Sequence, residues 1–264
     1  MFTILLYICR ISKNTLKMKL KKIFTLLISL SFILDVSAQG EPEKILVSDN
    51  IEIHKLSDNA YRHISYFQTE SWGKVGANGL IMVKDGKALM IDTPWDNSQT
   101  KELTEWVKDS LHATVTTVIP THWHGDCMGG LAYLQSQNVS SYANQMTIDI
   151  AEKENLPLPQ HGFKESLTVD FQGLPIECYY PGGGHTVDNI VVWIPSENIL
   201  FGGCLIKDMK TTNLGNLSDA DVEAWPASVQ KVIDKFPEAK TVIPGHGVAG
   251  SSELMHHTLH LLGY

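Results

Sequence analysis

The sequence predicts an α/β protein of two related halves, with strands inside and helices outside. Strand-like apolar runs alternate with amphipathic helical patterns after residue 44, and no low-complexity linker separates them. Segment 117–122 (Thr-Val-Ile-Pro-Thr-His) recurs as segment 241–246 (Thr-Val-Ile-Pro-Gly-His). Each copy reads as a buried strand stopped by a proline, with a histidine two residues further on. We therefore expect one domain over residues 39–264 whose two halves face a common edge.

The elements follow from the periodicity of the apolar residues. In the first half, Asp85-Gly86 joins two runs as a hairpin signal. A helix is predicted over 98–111 because Leu103, Val107 and Leu111 share one face, with Ser98 as its N-cap. Further helices are predicted at 131–136, 146–155, 222–236 and 253–262. Strands are predicted at 51–56, 61–67, 80–83, 88–91, 113–119, 174–180, 190–194, 199–201 and 241–243.

Residues 1–38 have the features of a secretory signal peptide. Lys19, Lys21 and Lys22 precede an apolar run over 23–34, and Val-Ser-Ala follows at 36–38. The run is about 12 residues long, whereas a helix that spans a bilayer needs about 20. We expect cleavage after Ala38, translation from Met18 with an upstream extension before it, and a periplasmic mature protein with no membrane segment.

The charge of the mature chain argues against nucleic acid as a partner. Residues 1–38 hold six of the 21 basic residues and one of the 29 acidic ones, so residues 39–264 carry a formal net charge of −13. Nucleic acid binding draws on clustered lysine and arginine. Any anionic substrate must then be attracted by a local cation or a metal ion. Three cysteines remain after cleavage, an odd number that excludes a complete disulfide framework.

Six potential metal ligands occur in short motifs just past predicted strands. Zinc binds imidazole, thiolate and carboxylate, and a catalytic zinc has three protein ligands and one position open for water. Six ligands divide into two such sets, whereas a structural zinc needs four in a closed shell. The sequence therefore predicts a hydrolytic site with two Zn²⁺ ions. The six are His122, His124 and Asp126 in His-Trp-His-Gly-Asp, His185 after three glycines, Cys204 after two, and His246 in Pro-Gly-His.

These motifs resemble the class B metallo-β-lactamases, in their three-histidine, broad-spectrum subclass. The resemblance covers roughly residues 45–262 and includes Gly-His-Thr-Val-Asp-Asn at 184–189 and Gly-Asn at 215–216. Cys127 directly follows Asp126, and in this feature the chain resembles the carbapenem-hydrolysing branch of the subclass. His122 stands where the one-zinc subclass has asparagine. The resemblance implies a four-layer αββα sandwich with its metal site at one edge. It also implies hydrolysis of penicillins, cephalosporins and carbapenems, and hence antibiotic resistance.

The resemblance assigns a role to each ligand and to two further residues. It implies that His122, His124 and His185 bind the first zinc, and that Asp126, Cys204 and His246 bind the second. Asp126 would also orient the attacking hydroxide. Asn216 would stabilise the oxyanion, and Lys207 would bind the substrate carboxylate. Lys207 could otherwise be a solvated surface lysine, and Asn216 only a turn residue.

Three residues outside the ligand set receive roles from their position. Trp72 lies in segment 68–78, which joins two predicted strands and carries Gly73 and Gly76. We expect this segment to form a flap whose exposed Trp72 closes over bound substrate. The alternative is a turn with one packed aromatic residue. Asp92 and Asp188 are expected to support the ligands from outside the coordination sphere.

Two alternatives to β-lactam hydrolysis stay open at this stage. One is a hydrolase of the same fold that acts on a lactone or thioester; relatives of that kind usually carry histidine after the motif aspartate and aspartate in place of Cys204. The other is a protein that binds or stores zinc without catalysis, which would need no substrate clamp such as Lys207. We expect a monomer, because the sequence has no spare apolar helix.

Overall fold

Two β-sheets pack face to face in the computed structural model, which describes residues 44–264. The eight strands of the first sheet lie in chain order: β1 (Lys44–Ser48), β2 (Ile51–Lys55), β3 (Ala60–Thr69), β4 (Gly73–Lys84), β5 (Lys87–Ile91), β6 (Thr114–Ile119), β7 (Ser140–Asn144) and β8 (His161–Phe163). The second sheet has the order β13-β12-β11-β10-β9, with β9 (Ser166–Phe171), β10 (Leu174–Tyr179), β11 (Val191–Ile194), β12 (Ile199–Gly203) and β13 (Thr241–Pro244).

The last strands of each sheet pair parallel, so their carboxyl ends lie at the same edge of the sheet. Strands β1 to β5 pair antiparallel, and β5 to β8 pair parallel. In the second sheet only β12 and β13 are parallel, with Phe201 opposite Ile243. The two sheets also meet there, because the Asn78 backbone N–H donates to the Gly245 carbonyl at 2.8 Å. The carboxyl ends of β6, β12 and β13 lead directly into the predicted ligand motifs.

Within the described residues 44–264 there are six α-helices. They are α1 (Asn97–Leu111), α2 (Gly125–Met128), α3 (Leu131–Ser136), α4 (Gln145–Lys153), α5 (Trp225–Lys235) and α6 (Glu253–Leu261). One buried apolar cluster lies between the sheets and includes Leu80, Ile119 and Phe201. A second packs α1 and α3 on the first sheet, and a third packs α5 and α6 on the other. The resulting order of layers is α, β, β, α, which confirms the predicted sandwich.

The hairpin signal is confirmed and one helix cap is corrected. Asp85 and Gly86 both have positive φ, as a two-residue turn of this twist requires, and β4 and β5 pair antiparallel around them. Ser98 is not the N-cap of α1. The Asp96 carboxylate accepts the Gln99 backbone N–H at 2.8 Å, so the helix begins at Asn97.

The segment 68–78, predicted as a connection, is mostly strand. Strand β3 continues to Thr69 and β4 begins at Gly73, so only residues 70–72 form the turn. Four other strands (β1, β7, β8 and β9) were not predicted; β7 carries few apolar residues, and β8 is three residues long. Helix α5 begins three residues later than predicted, at Trp225, with Pro226 in its first turn, where a missing N–H costs nothing.

In the part of the chain described, no helix is long and apolar enough to cross a membrane. Residues 44–264 belong to one compact unit. The predicted signal peptide, its cleavage after Ala38 and the Met18 start lie outside the described residues.

His63 on β3 makes folding sensitive to acid. Its side chain is fully buried opposite Gly79, whose missing Cβ leaves room for the imidazole ring. Its Nε2 contacts the Asp92 carbonyl oxygen at 3.1 Å, while Nδ1 has no partner. Burial lowers the pKa of His63 to about 4. A cation at this position would have no compensating charge, so the folded protein keeps the ring neutral.

We predict that stability is lost as the pH falls from about 6.5 towards 4. The unfolded histidine binds a proton near pH 6.5, whereas the folded one does so only near 4. His63 should therefore reduce the free energy of unfolding by roughly 2 kcal/mol between pH 6.5 and 5. Urea unfolding at both pH values, on wild type and His63→Gln, measures this contribution as a difference. An equal acid loss in the two proteins would contradict the assignment to His63.

Candidate metal centre

Three histidines from two loops converge at the sheet edge. Their donor nitrogens lie within 4.8 Å of one another. His122 follows β6 and is fully buried, His124 is the N-cap residue of α2, and His185 follows β10. The rings meet edge to face at centroid distances of 4.7 to 5.2 Å. This is the set assigned to the first metal site from the sequence.

Asp126, Cys204 and His246 form an adjacent cluster. The Cys204 Sγ lies 3.5 Å from Asp126 Oδ2 and 3.4 Å from His246 Nε2. Asp126 Oδ2 and His246 Nε2 are 3.3 Å apart. His122 also belongs here, because its donor atom lies within 4.8 Å of those of Asp126 and Cys204. The two clusters therefore adjoin through His122, and the structure brings all six predicted ligands together.

The spacing of these atoms fits zinc. Tetrahedral zinc with nitrogen, oxygen and sulfur donors at about 2.0–2.3 Å holds those donors about 3.3–3.6 Å apart. The three distances in the second cluster lie in that range. In addition, His122 Nε2 is buried without a hydrogen-bond partner. A buried imidazole nitrogen without a partner is costly unless a metal ion or another group satisfies it.

Two buried aspartates fix the backbone that carries the histidines. Asp92 accepts the Thr121 backbone N–H at 2.6 Å and the Thr121 hydroxyl at 2.8 Å. Asp188 accepts the Trp123 backbone N–H at 3.0 Å and the Thr147 hydroxyl at 2.7 Å. The two aspartates therefore support the ligands indirectly, because they hold the backbone of the residues on either side of His122. Neither carboxylate forms a hydrogen bond to an imidazole ring in the described chain.

The electrostatics of the clusters favour the metal-binding forms of Asp126, Cys204 and His185. Against the effect of burial, the charges of Cys204 and Asp126 raise the pKa of His122 and His246. Burial alone would raise the pKa of Asp126, but the hydrogen bond from His246 and the field of His122 hold it well below its usual range. A hydrogen bond from Cys127 lowers the pKa of Cys204, against the effect of burial, and so favours the thiolate. Burial lowers the pKa of His185 to about 3, which keeps that imidazole neutral.

Cys127 lies behind the first cluster. Its sulfur is 3.2 Å from His122 Nδ1 and 3.6 Å from the Thr121 hydroxyl. It is buried and, like Cys178 and Cys204, forms no disulfide. Burial, reinforced by contact with Cys204, raises the pKa of Cys127. Cys127 therefore remains a thiol that contacts the outer nitrogen of a ligand histidine.

A cleft of about 780 Å³ opens over the metal ligands, and Lys207, Asn216 and Trp72 all line it. Lys207 is 8% exposed, and its Nζ lies 5.2 Å from the centroid of the Trp225 ring. Within residues 44–264 its ammonium forms no ion pair or hydrogen bond, and burial lowers its pKa. It is not the solvated surface lysine of the alternative interpretation. Asn216 is exposed and accepts the Ser218 backbone N–H at 3.1 Å.

Trp72 lies at the tip of the long β3–β4 hairpin. It is 62% exposed, which excludes the packed aromatic of the alternative interpretation. Its backbone N–H donates to the Thr69 hydroxyl at 2.9 Å, and that hydroxyl donates to the Gly73 carbonyl at 3.0 Å. The turn is therefore locally ordered while the indole faces the cleft.

Two neighbours of the site were not identified from the sequence. The Asp219 carboxylate lies 3.0 Å from His124 Nε2, although 95 positions separate the two residues. Hydrogen bonds from Ser218 and His124 lower the pKa of Asp219 against the effect of partial burial. Trp95 lines the cleft, stacks on Phe67 at 5.5 Å and lies 6.5 Å from the ring of His246. Trp95 lies in the family motif Asp-Thr-Pro-Trp at 92–95, but the motif assigned it no role, and its contact with His246, like that of Asp219 with His124, is made by folding.

Comparison with known proteins agrees with this architecture. Residues 72–246 match the model of the metallo-beta-lactamase superfamily. A metallo-beta-lactamase type 2 of Bacteroides fragilis is 54% identical over 90% of this chain and 94% of its own length. The solved metallo-beta-lactamase of Pontibacter korlensis is 40% identical, covers 81% of this chain and 99% of its own, and has a TM-score of 0.78.

A further solved relative is the metallo-beta-lactamase FIM-1 from Pseudomonas aeruginosa, determined in a mono-zinc form. It is 35% identical, covers 83% of this chain and 97% of its own, and has a TM-score of 0.77. Identity at this level over nearly whole chains, together with a common fold, establishes a shared family. The chain belongs to the metallo-β-lactamases, in the three-histidine subclass that its motifs indicated.

Proposed function

We propose that this zinc hydrolase opens the β-lactam ring of penicillins, cephalosporins and carbapenems with two zinc ions bound, and so confers resistance to them. The observation that carries the proposal is the convergence of six donor side chains into two adjoining clusters under one cleft. His122, His124 and His185 would hold the first ion. Asp126, Cys204 and His246 would hold the second.

The chain's own groups would position water and substrate around the ions. When bound, paired zinc ions lower the pKa of water to about 7 and polarise the carbonyl that is attacked. The ionised Asp126 carboxylate faces both clusters and can accept a hydrogen bond from the attacking water. The Asn216 side-chain N–H can donate to the carbonyl oxygen as negative charge develops on it.

Lys207 supplies the local cation that an acidic chain needs for an anionic substrate. Its ammonium is unpaired within residues 44–264 and lines the cleft beside Gly215, where a Cβ would lie 4.0 Å from Nζ. A substrate carboxylate would gain a charge-assisted hydrogen bond there. This cation argues against a protein that only stores zinc, which has no use for an anion-binding group in its cleft.

Trp72 would cover the apolar part of the substrate from the hairpin tip. An exposed indole costs free energy in water, so contact with an apolar substituent is favourable. The paired strands beneath the tip carry the indole over the cleft without a long loop. We retain the flap interpretation, in which the hairpin expected over residues 68–78 carries Trp72 at its tip.

We further propose that residues 1–38 direct export to the periplasm, that residues 39–264 are the mature domain, and that it acts as a monomer. The basic start, short apolar run and small residues at the cut site support export. The periplasm is where a β-lactam meets such an enzyme before it reaches the cell-wall targets.

One assay tests the proposed function as a whole. A chromogenic cephalosporin should be hydrolysed by the purified protein, and a chelator should abolish the hydrolysis until zinc is restored. Lactone and thioester substrates assayed in parallel test the alternative hydrolase activities. A protein that binds zinc but turns over none of these substrates would be a storage protein.

We predict two zinc ions per active chain. Elemental analysis after dialysis against zinc-replete buffer should give a ratio of two, because both clusters have zinc-compatible donors. A fully active protein with a saturating ratio of one, as in a mono-zinc relative, would exclude the two-zinc mechanism.

We predict that Cys204→Ser weakens mainly the second zinc site. A hydroxyl is far less acidic than a thiol, so it is a poorer zinc ligand at neutral pH. Zinc titration should show one affinity close to that of wild type and one reduced. Loss of both zinc sites together would show instead that the substitution disrupts the structure of the sheet edge that carries the ligands.

We predict that Lys207→Ala raises KM by roughly tenfold to a hundredfold for anionic β-lactams, with a smaller fall in kcat. The lost contact is present in both the ground state and the transition state, so it contributes to binding. Lys108→Ala, which removes an exposed lysine from α1, is the control of equal charge. Unchanged KM with a large loss of kcat would reject the carboxylate role.

We predict that Trp72→Ala weakens binding of substrates with bulky apolar side chains by about tenfold, since covering such a group is worth about 1.5 kcal/mol. Zinc content should not change. Substrates with a small side chain are the internal control and should be affected less. A parallel loss of zinc and activity would show that Trp72 is structural.

A further inference from the structure

Residues 212–219, here named the Asn216 segment, carry the proposed substrate amide but have little structure of their own. The segment contains no helix or strand, and most of its residues are exposed. Its hydrogen bonds are local: Gly215 N–H to Asn213, Ser218 N–H to Asn216, and the Ser218 hydroxyl to Asp219. Leu214 packs the start of the segment against the third apolar cluster, but these local bonds do not fix Asn216 itself to the rest of the protein.

Within the described chain, one hydrogen bond attaches this segment to a distant residue. The Asp219 carboxylate contacts His124 Nε2 at 3.0 Å. The same carboxylate oxygen accepts the Ser218 hydroxyl at 2.9 Å, and Ser218 N–H donates to the Asn216 side chain at 3.1 Å. A continuous chain of hydrogen bonds therefore runs from Asn216 to a histidine of the first cluster.

This contact determines which nitrogen of His124 is free to bind metal. A histidine has two ring nitrogens, and the one that carries the proton is set by its hydrogen bond. With Nε2–H donated to Asp219, Nδ1 is the ring nitrogen that keeps a lone pair for a metal ion. A carboxylate partner also makes the ligand nitrogen more basic and orients the ring.

The contact contributes little to folding in itself. The Asp219 side chain is 40% exposed, and water screens the contacts of an exposed carboxylate. Asp219 is thus better placed to orient His124 than to stabilise the fold.

We propose that Asp219 is a positioning residue that links occupancy of the first metal site to the order of the Asn216 segment. Zinc on His124 strengthens the hydrogen bond to Asp219, and the bond holds Asn216 over the cleft. By thermodynamic reciprocity, order in the segment increases zinc affinity by the same factor. The proposal rests on the proposed function, in which Asn216 contacts the substrate.

The first experiment measures zinc affinity by competition with a chromophoric chelator. It is made in the Cys204→Ser background, so that the site that remains tight is the first one. Adding Asp219→Ala should weaken zinc binding by roughly tenfold to a hundredfold. With Asp219→Asn, the zinc affinity should lie between those of the unchanged Asp219 and of Asp219→Ala, because a neutral amide oxygen accepts the hydrogen bond without carrying a charge. Glu223→Gln, an exposed charge change nearby, is the control.

The second experiment measures hydrogen exchange of a peptide covering residues 211–221 in the full chain, with and without zinc. Zinc should slow exchange in wild type and in Glu223→Gln. In Asp219→Ala, at a zinc concentration that saturates the site, this protection should disappear. Ser218→Ala keeps the bond to His124 and should retain most of the protection.

The outcomes separate the proposal from its alternatives. Unchanged zinc affinity in Asp219→Ala overturns the positioning role. Weaker zinc binding with full zinc-dependent protection overturns the link to the segment. Neither readout uses a β-lactam, so a protein that lacked lactamase activity could still pass both tests, and failure of the proposed function would be recognised separately.

Discussion

The close approach of β12 and β13 at their carboxyl ends is the constraint on which the metal centre depends. Gly245 N–H donates to the Gly203 carbonyl at 2.7 Å, and the site where a Cβ of Gly245 would lie is 2.6 Å from the Cys204 backbone nitrogen. That Cβ would also overlap the Cys204 sulfur. Only glycine lets Cys204 and His246 converge to 3.4 Å. Asp126, in the short helix α2 that follows β6 of the other sheet, completes the cluster.

The same constraint explains the one difference between the two related segments. The first copy has Thr121 between proline and histidine, and the second has Gly245. Thr121 has room for a side chain, which donates to the buried Asp92. At Gly245 the equivalent space is occupied by Cys204. The repeated strand-proline-histidine pattern thus provides two ligands. The residue between proline and histidine differs because Thr121 has space for a side chain beside Asp92, whereas Cys204 occupies that space at Gly245.

The sequence predicted the site better than it predicted the boundaries of the elements. All six ligands lie past strand ends, and parallel strand ends share an edge, so their convergence could be inferred from order alone. The sequence does not distinguish Asp96 from Ser98 as the cap of α1, because both residue types can accept a backbone N–H. It also does not show how far the backbone pairing of β3 and β4 extends. The pairing of Asp219 with His124 joins an exposed loop to a motif 95 positions away, and no periodicity encodes such a contact.

The centre is assembled from distant parts of the chain, and this governs when it can form. Asp126 and Cys204 are 78 positions apart, and Cys204 and His246 are 42 apart. Contacts between residues so far apart form late in folding, because closing the chain segment between them first costs conformational entropy. Neither sheet alone holds both halves of the ligand set. Metal capture therefore follows docking of the sheets, and an unfolded chain would expose histidine and cysteine without a preformed site.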